Sequence, residues 1–113
     1  MSVSFGGIGE LAATFLTHGT VNAGDAGKMY SDGTVAACEA DDEFCGVAIN
    51  VSDDGHATVQ LGGYIVMPYT GTAPSLGYEK LLAASGGVAA DEDGREYLVA
   101  EVNETAATVG FFM

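Results

Sequence analysis

Apolar and polar positions alternate with a period of two along much of this chain, which is the signature of strands that bury one face. Val47, Ile49 and Val51 are spaced by Ala48 and Asn50, and Ala57, Val59 and Leu61 by Thr58 and Gln60. Asp53-Asp54-Gly55 joins the two runs, so they are expected to form a hairpin with one apolar and one polar face. A second hairpin is predicted where Lys28 to Ser31 and Thr34 to Ala37 flank Asp32-Gly33, a pair suited to the positive φ angles of a tight turn. Gly62-Gly63 then interrupts the pattern before Tyr64 to Met67, read as a short and more buried strand. Pro68 and Pro74 bracket a loop around Tyr69. Near the end, Tyr97 to Val102 and Thr108 to Phe112 read as two strands joined by Asn103-Glu104-Thr105.

Two stretches depart from this rhythm. Leu76 to Ser85 contains good helix formers but is followed by Gly86-Gly87 and Val88-Ala89-Ala90, which also suits a hairpin. Residues 1–14 carry Phe5, Ile8 and Leu11 at helix-like spacing, with Gly6, Gly7 and Gly9 among them. Three glycines cost roughly 3 kcal/mol against alanine in a helix, so a flexible arm or an added strand is expected there. The domain reading is therefore an N-terminal arm over 1–14 and one β domain over 15–113. An apolar arm of this kind is a candidate partner-binding element through Phe5, Ile8 and Leu11.

An internal repeat resolves the ambiguous stretch. Lys28-Met29-Tyr30, then Gly33-Thr34-Val35-Ala36-Ala37, is echoed about fifty residues later by Lys80-Leu81-Leu82, then Gly86-Gly87-Val88-Ala89-Ala90. An acidic stretch follows in each half, then Phe44 or Tyr97 leading an apolar strand, then Ala-Thr-Val at Ala57 and at Ala107. The repeat makes Leu81 to Ala84 a strand, and predicts two related β units that close one small barrel or sandwich.

Composition sharpens the functional reading. Seventeen glycines with only two prolines suit tight turns between short strands. Sixteen acids face only Lys28, Lys80 and Arg95, for a net charge of −13. Such a surface repels phosphates, which argues against nucleic acid and against anionic membranes as partners. It suits either solubility or attraction to a basic surface such as an assembled protein lattice. The N-terminal residues lack the basic region of a secretory signal, and no run of about 18 apolar residues occurs to span a membrane.

Residues able to carry catalysis are few. His18 and His56 both neighbour glycines, as turn-flanking residues do. No G-x-S-x-G nucleophile elbow, G-x-G-x-x-G or phosphate loop is present. Cys38 and Cys45 fit no C-x-x-C pattern and are expected to be reduced, partly buried thiols; a zinc site would need them to converge with both histidines. Asp41-Asp42-Glu43 and Asp91-Glu92-Asp93 lack the spacing of an EF-hand loop. Lys28 lies at a strand start and not at a hairpin tip, unlike the modified lysine of biotinyl carriers. The expectation is a protein with no catalytic residue, no metal and no cofactor.

One set of motifs carries a resemblance. Gly24-Asp25-Ala26-Gly27-Lys28, Gly46-Val47-Ala48, Gly62-Gly63-Tyr64 and Gly110-Phe111-Phe112, with Leu76-Gly77-Tyr78 and Arg95-Glu96-Tyr97-Leu98-Val99, resemble a group of small phage and prophage proteins. The group includes uncharacterised, DUF2190-like proteins and, more loosely, head-decoration proteins. The resemblance implies a β-tulip or small β-barrel fold and a homotrimer. It also implies a position on the outer capsid surface of a virion, bound to the major capsid protein, after synthesis in the bacterial cytoplasm. It implies no active site. A sugar-binding or host-binding surface module is the alternative, with Tyr64, Tyr69, Tyr78 or Tyr97 stacking on sugar rings; it requires an exposed cluster of these tyrosines. A tail or connector component shares the same bulk features.

Overall fold

The computed structural model describes residues 10–84 and 87–113. Among these residues there is no helix, and ten strands make up the fold. β1 (Leu11–Thr17), β2 (Ala26–Ser31), β3 (Thr34–Ala37), β4 (Gly46–Val51) and β5 (His56–Gly62) close into a barrel in the order β1-β3-β2-β4-β5. β6 (Tyr64–Pro68), β7 (Gly77–Ala84), β8 (Gly87–Ala90), β9 (Arg95–Asn103) and β10 (Thr108–Phe112) form a second sheet in the order β6-β10-β9-β7-β8. The protein is all-β and contains a small barrel, and the stretch that read ambiguously as helix or hairpin is strand β7.

The two halves are copies of one topology. Every antiparallel neighbour in the first half has its counterpart in the second. The parallel pair β1–β3 is matched by a parallel bridge from Tyr69, just past β6, to Val88 in β8. Individual hydrogen bonds repeat as well. His18 N–H donates to Val35 O in the first half as Thr70 N–H does to Val88 O in the second. Thr17 N–H donates to Gly55 O as Tyr69 N–H does to Ala107 O. Each half thus wraps on itself: the first closes fully, and the second brings its outer strands together at one end. Of the barrel or sandwich expected from the two repeats, the barrel is formed by the first half alone, and the second half is a separate five-stranded sheet. Parallel contacts link the second strand pair back to the first strand of the same half, so each half covers part of its own edges.

The duplication also explains a strained residue. The sequence repeat set Ala107 against Ala57, but the hydrogen bonds set it against Gly55; Gly55 has φ 86° and Ala107 has φ 55°, in the left-handed region where a Cβ is crowded by its own carbonyl. Ala107→Gly is therefore expected to stabilise the fold by about 0.5–1 kcal/mol, the strain relieved exceeding the added unfolded-state entropy. A rise of a few degrees in the thermal unfolding midpoint would show it; a fall would mean the strain is already relaxed.

Two further expectations are corrected. The arm was placed over 1–14, but Leu11 to Thr14 belong to β1 and pair with Gly62 to Thr58 of β5. The hairpin β4–β5 was read with Val47, Ile49 and Val51 on one buried face. A bulge between Ala48 and Asn50 instead turns Ala48 inward opposite Val59 and leaves Ile49 half exposed.

The larger core lies in the second half and at the junction. Ile65, Met67, Leu81, Val88, Val99, Val109 and Phe111 pack with Phe44 and Val47 from the first half. Phe44 is the link: it leaves the barrel just before β4, stacks on Tyr97 at 5.1 Å and meets Phe111 edge-on at 6.0 Å. The Tyr97 hydroxyl donates to the Phe44 carbonyl at 3.2 Å. The loop before Phe44 grips the end of β7, with Asp41 N–H donating to Ala83 O and Ala83 N–H to Asp42 O. Lys28 and Asp42 pair at 2.7 Å beside this clasp. The hydrogen bond to Asp42 raises the Lys28 pKa, and the same bond lowers that of Asp42. At the other side of the junction, Met113 N–H donates to Gly63 O, and the Glu10 backbone occupies the space that a side chain on Gly63 would need.

Candidate docking surface

A strand shows alternate side chains to opposite faces, and directly paired residues of neighbouring strands share a face. In the second sheet one face makes the core. On the other, Tyr64 of β6 pairs with Phe112 of β10, Phe112 with Leu98 of β9, and Leu98 with Tyr78 of β7. These four residues form an apolar row across four strands. Val66 and Leu76 extend it, and Tyr78, Leu76 and Val66 are 74%, 68% and 53% exposed. Strand spacing makes the row roughly 14 Å wide.

The row is held in place locally. The Tyr64 ring lies across Gly110 so closely that a side chain there would collide with it, and it packs on Phe112 at 5.1 Å. Burial and the nearby Glu101 carboxylate push the Tyr64 hydroxyl pKa up, so it stays neutral. Polar residues bound the row: Glu101 pairs with Gly110, and Lys80 pairs with Glu96. An apolar patch rimmed by polar residues is the form of an interaction surface, and here it stands out against a chain of charge −13.

Ser52, Asp54 and His56 come together at the tip of the β4–β5 hairpin and invite comparison with a triad. Yet Ser52 Oγ donates to Asp54 Oδ1, and His56 Nδ1 lies 3.2 Å from the same oxygen. The carboxylate sits between serine and histidine, so the imidazole is not aligned on the hydroxyl it would have to deprotonate. The Ser52 hydrogen bond, then that of His56, lowers the Asp54 pKa, which suits a capped turn. Among the described residues, no three His, Cys, Asp or Glu side chains converge to hold a metal ion.

Cys38 and Cys45 are free and half-buried. Burial, and then Asp42, pushes the Cys38 pKa up to about 12, and burial raises that of Cys45. Nucleophilic chemistry needs the thiolate. Alkylation of Cys38 in the native chain at pH 8 should therefore run about a thousandfold slower than in the urea-unfolded chain. Equal rates by mass spectrometry would show that the thiol is not shielded.

Of the arm residues expected to contact a partner, Phe5 and Ile8 lie outside the described residues. Leu11 opens β1 beside Gly62 and is 60% exposed. The tyrosines proposed for sugar stacking do not cluster. Tyr97 is in the core, and Tyr64 and Tyr78 are separated on the row by Phe112 and Leu98. The row itself was missed from sequence. Its signal is that Tyr64 to Met67 and Tyr97 to Val99 are apolar in both phases of the alternation, although their sheet has only one core-facing side.

No protein-family model, no curated protein and no solved structure matches this chain. No helix among the described residues is long and apolar enough to cross a membrane.

Proposed function

We propose that this chain is a non-enzymatic decoration protein of a phage or prophage capsid, docking on the outer shell through the apolar row of its second sheet. The observation that carries the reading is that row: an exposed apolar face four strands wide on a small, strongly acidic, all-β domain. Each large apolar side chain buried on docking contributes about 1.5–3 kcal/mol, and the acidic rim steers the face toward a basic lattice. The partner in this reading is the major capsid protein, and the chain acts as a homotrimer, so several weak faces engage together. The motif resemblance supports the same assignment.

The test is co-sedimentation with empty shells of the phage or prophage that encodes the chain. Tyr78→Ser with Leu98→Lys changes only exposed positions, so the fold is expected to persist by circular dichroism. Shell binding should fall by at least a hundredfold. Undiminished binding by a folded double variant removes the row from the mechanism. Failure of the native chain to bind shells overturns the decoration reading and favours a tail, connector or host-surface role.

A further inference from the structure

The duplication allows one half to be compared with the other at a strand edge. In the second half, β9 pairs with β7 only as far as Leu81, so the edge of β7 is open beyond it. There the two backbone groups of Ala83 are taken up by Asp41 and Asp42, which arrive from the other half. By strand pairing, the counterpart of Ala83 is Met29: Ala83 opposes Val88, and Met29 opposes the equivalent Val35.

Met29 is turned the same way. Gly27 O accepts from Cys45 N–H on the β4 side, and Ala26 O accepts from Cys38 N–H on the β3 side. Backbone groups alternate sides along a strand, so Met29, like Gly27, directs its N–H and C=O toward β4. But β4 pairs with β2 only at Ala26 and Gly27. Beyond Gly27 the chain that would continue β4 has left as Phe44 for the core of the second half. Among the described residues, no strand lies beside Met29 on that edge, and Met29 is 49% exposed.

We propose that this edge, at Met29 to Ser31, receives residues 1–9 of a second copy of the chain as an added strand. Three observations select this occupant. Residues 1–9 carry no charged side chain, unlike the rest of a chain of charge −13, so they approach an acidic neighbour without repulsion. Ser2-Val3-Ser4-Phe5 alternates polar and apolar, as an added strand requires. Finally, β1 sets the N-terminal residues at the wrong end of their own barrel. Leu11 sits at Gly62, whereas Leu16 and Thr17 sit at Thr34 and Val35, near Met29. The seven residues of β1 span roughly 20 Å, so Glu10 lies at the end of the barrel remote from Met29. Donor and acceptor surfaces differ, so the contact is head-to-tail. It stands whether or not the chain decorates a shell.

The experiment uses the full chain alone, with a photoreactive benzoylphenylalanine in place of Phe5. Isotopically light and heavy copies are mixed so that cross-links between copies are identified by mass. The expected product joins residue 5 of one copy to Lys28–Ser31 of another. Met29→Pro removes the outward N–H without touching the β3 ladder, and should lower the yield at least tenfold. Val3→Pro, which leaves every described residue unchanged, should do the same. Cross-links confined within one copy, cross-links to the apolar row, or no cross-links at millimolar concentration would each overturn the proposal. Because no shell is present, its failure is distinct from failure of the decoration reading.

Discussion

Phe44→Ala is expected to lower the unfolding free energy by about 3–5 kcal/mol, the range for emptying a buried aromatic site. Phe44 is 3% exposed and is the large side chain that the first half packs against Tyr97 and Phe111 of the second. Its loss removes a stacked ring and an edge-on ring contact at the junction. The Tyr97 hydroxyl bond to the Phe44 carbonyl rests on the same placement, so the main chain of the loop should loosen too. Asp41 and Asp42 lose their purchase on Ala83 as that loop moves. The result should be more than a uniform destabilisation. Equilibrium unfolding by circular dichroism should broaden into two steps, because each half keeps its own strand closure while their shared core is breached. A single sharp transition shifted by less than about 1 kcal/mol would show that Phe44 fills space without coupling the halves.

The second large effect is at Gly87. A Cβ on Gly87 would be driven into the carbonyl of Pro68, a backbone group that cannot rotate away. Gly87→Ala should cost about 3 kcal/mol or more, since the overlap is relieved only by parting β8 from β6. The damage should be local in origin. The bridge from Tyr69 to Val88 opens and Thr70 N–H loses its acceptor Val88 O, so amide exchange at Thr70 should accelerate before global unfolding. Gly71→Ala is the control. Gly71 has φ 75° with open space around its α-carbon, so substitution there costs only the backbone strain, about 1–2 kcal/mol. Equal effects at both positions would mean that positive φ, and not close approach, governs this region.

Much of the fold was legible in the chain. The Asp32-Gly33 and Asp53-Asp54-Gly55 hairpins lie where the turn chemistry puts them, and Gly33 and Gly55 have positive φ. The repeat correctly turned Leu81 to Ala84 from a helix candidate into strand. What was not legible depends on distant partners. Leu11 to Thr14 holds two alanines and no strong alternation, and it becomes strand because β5 offers it an edge. The bulge that turns Ile49 outward follows from how β4 must bend to close the barrel, which no local pattern records. Closure of each half on itself is likewise set by parallel contacts between strands far apart in sequence. The apolar row was hidden for a related reason. Leu98 reads as core from its neighbours Tyr97 and Val99, and only the one-sided burial of its sheet shows it to face outward.

The meeting of Glu10, Gly63 and Met113 bears on how the protein is handled and on what it can carry. Met113 follows Phe112, a member of the apolar row, and bonds back to Gly63 beside Tyr64. A purification tag joined after Met113 would therefore emerge at the margin of the proposed docking surface and mask it, so a tagged chain that fails to bind is uninformative. The tip of the β4–β5 hairpin at Asp53-Asp54-Gly55 belongs to the other half of the molecule, the barrel that contributes nothing to the row. An epitope or cargo peptide grafted there leaves the row uncovered, which makes that turn the place to extend the protein with foreign sequence.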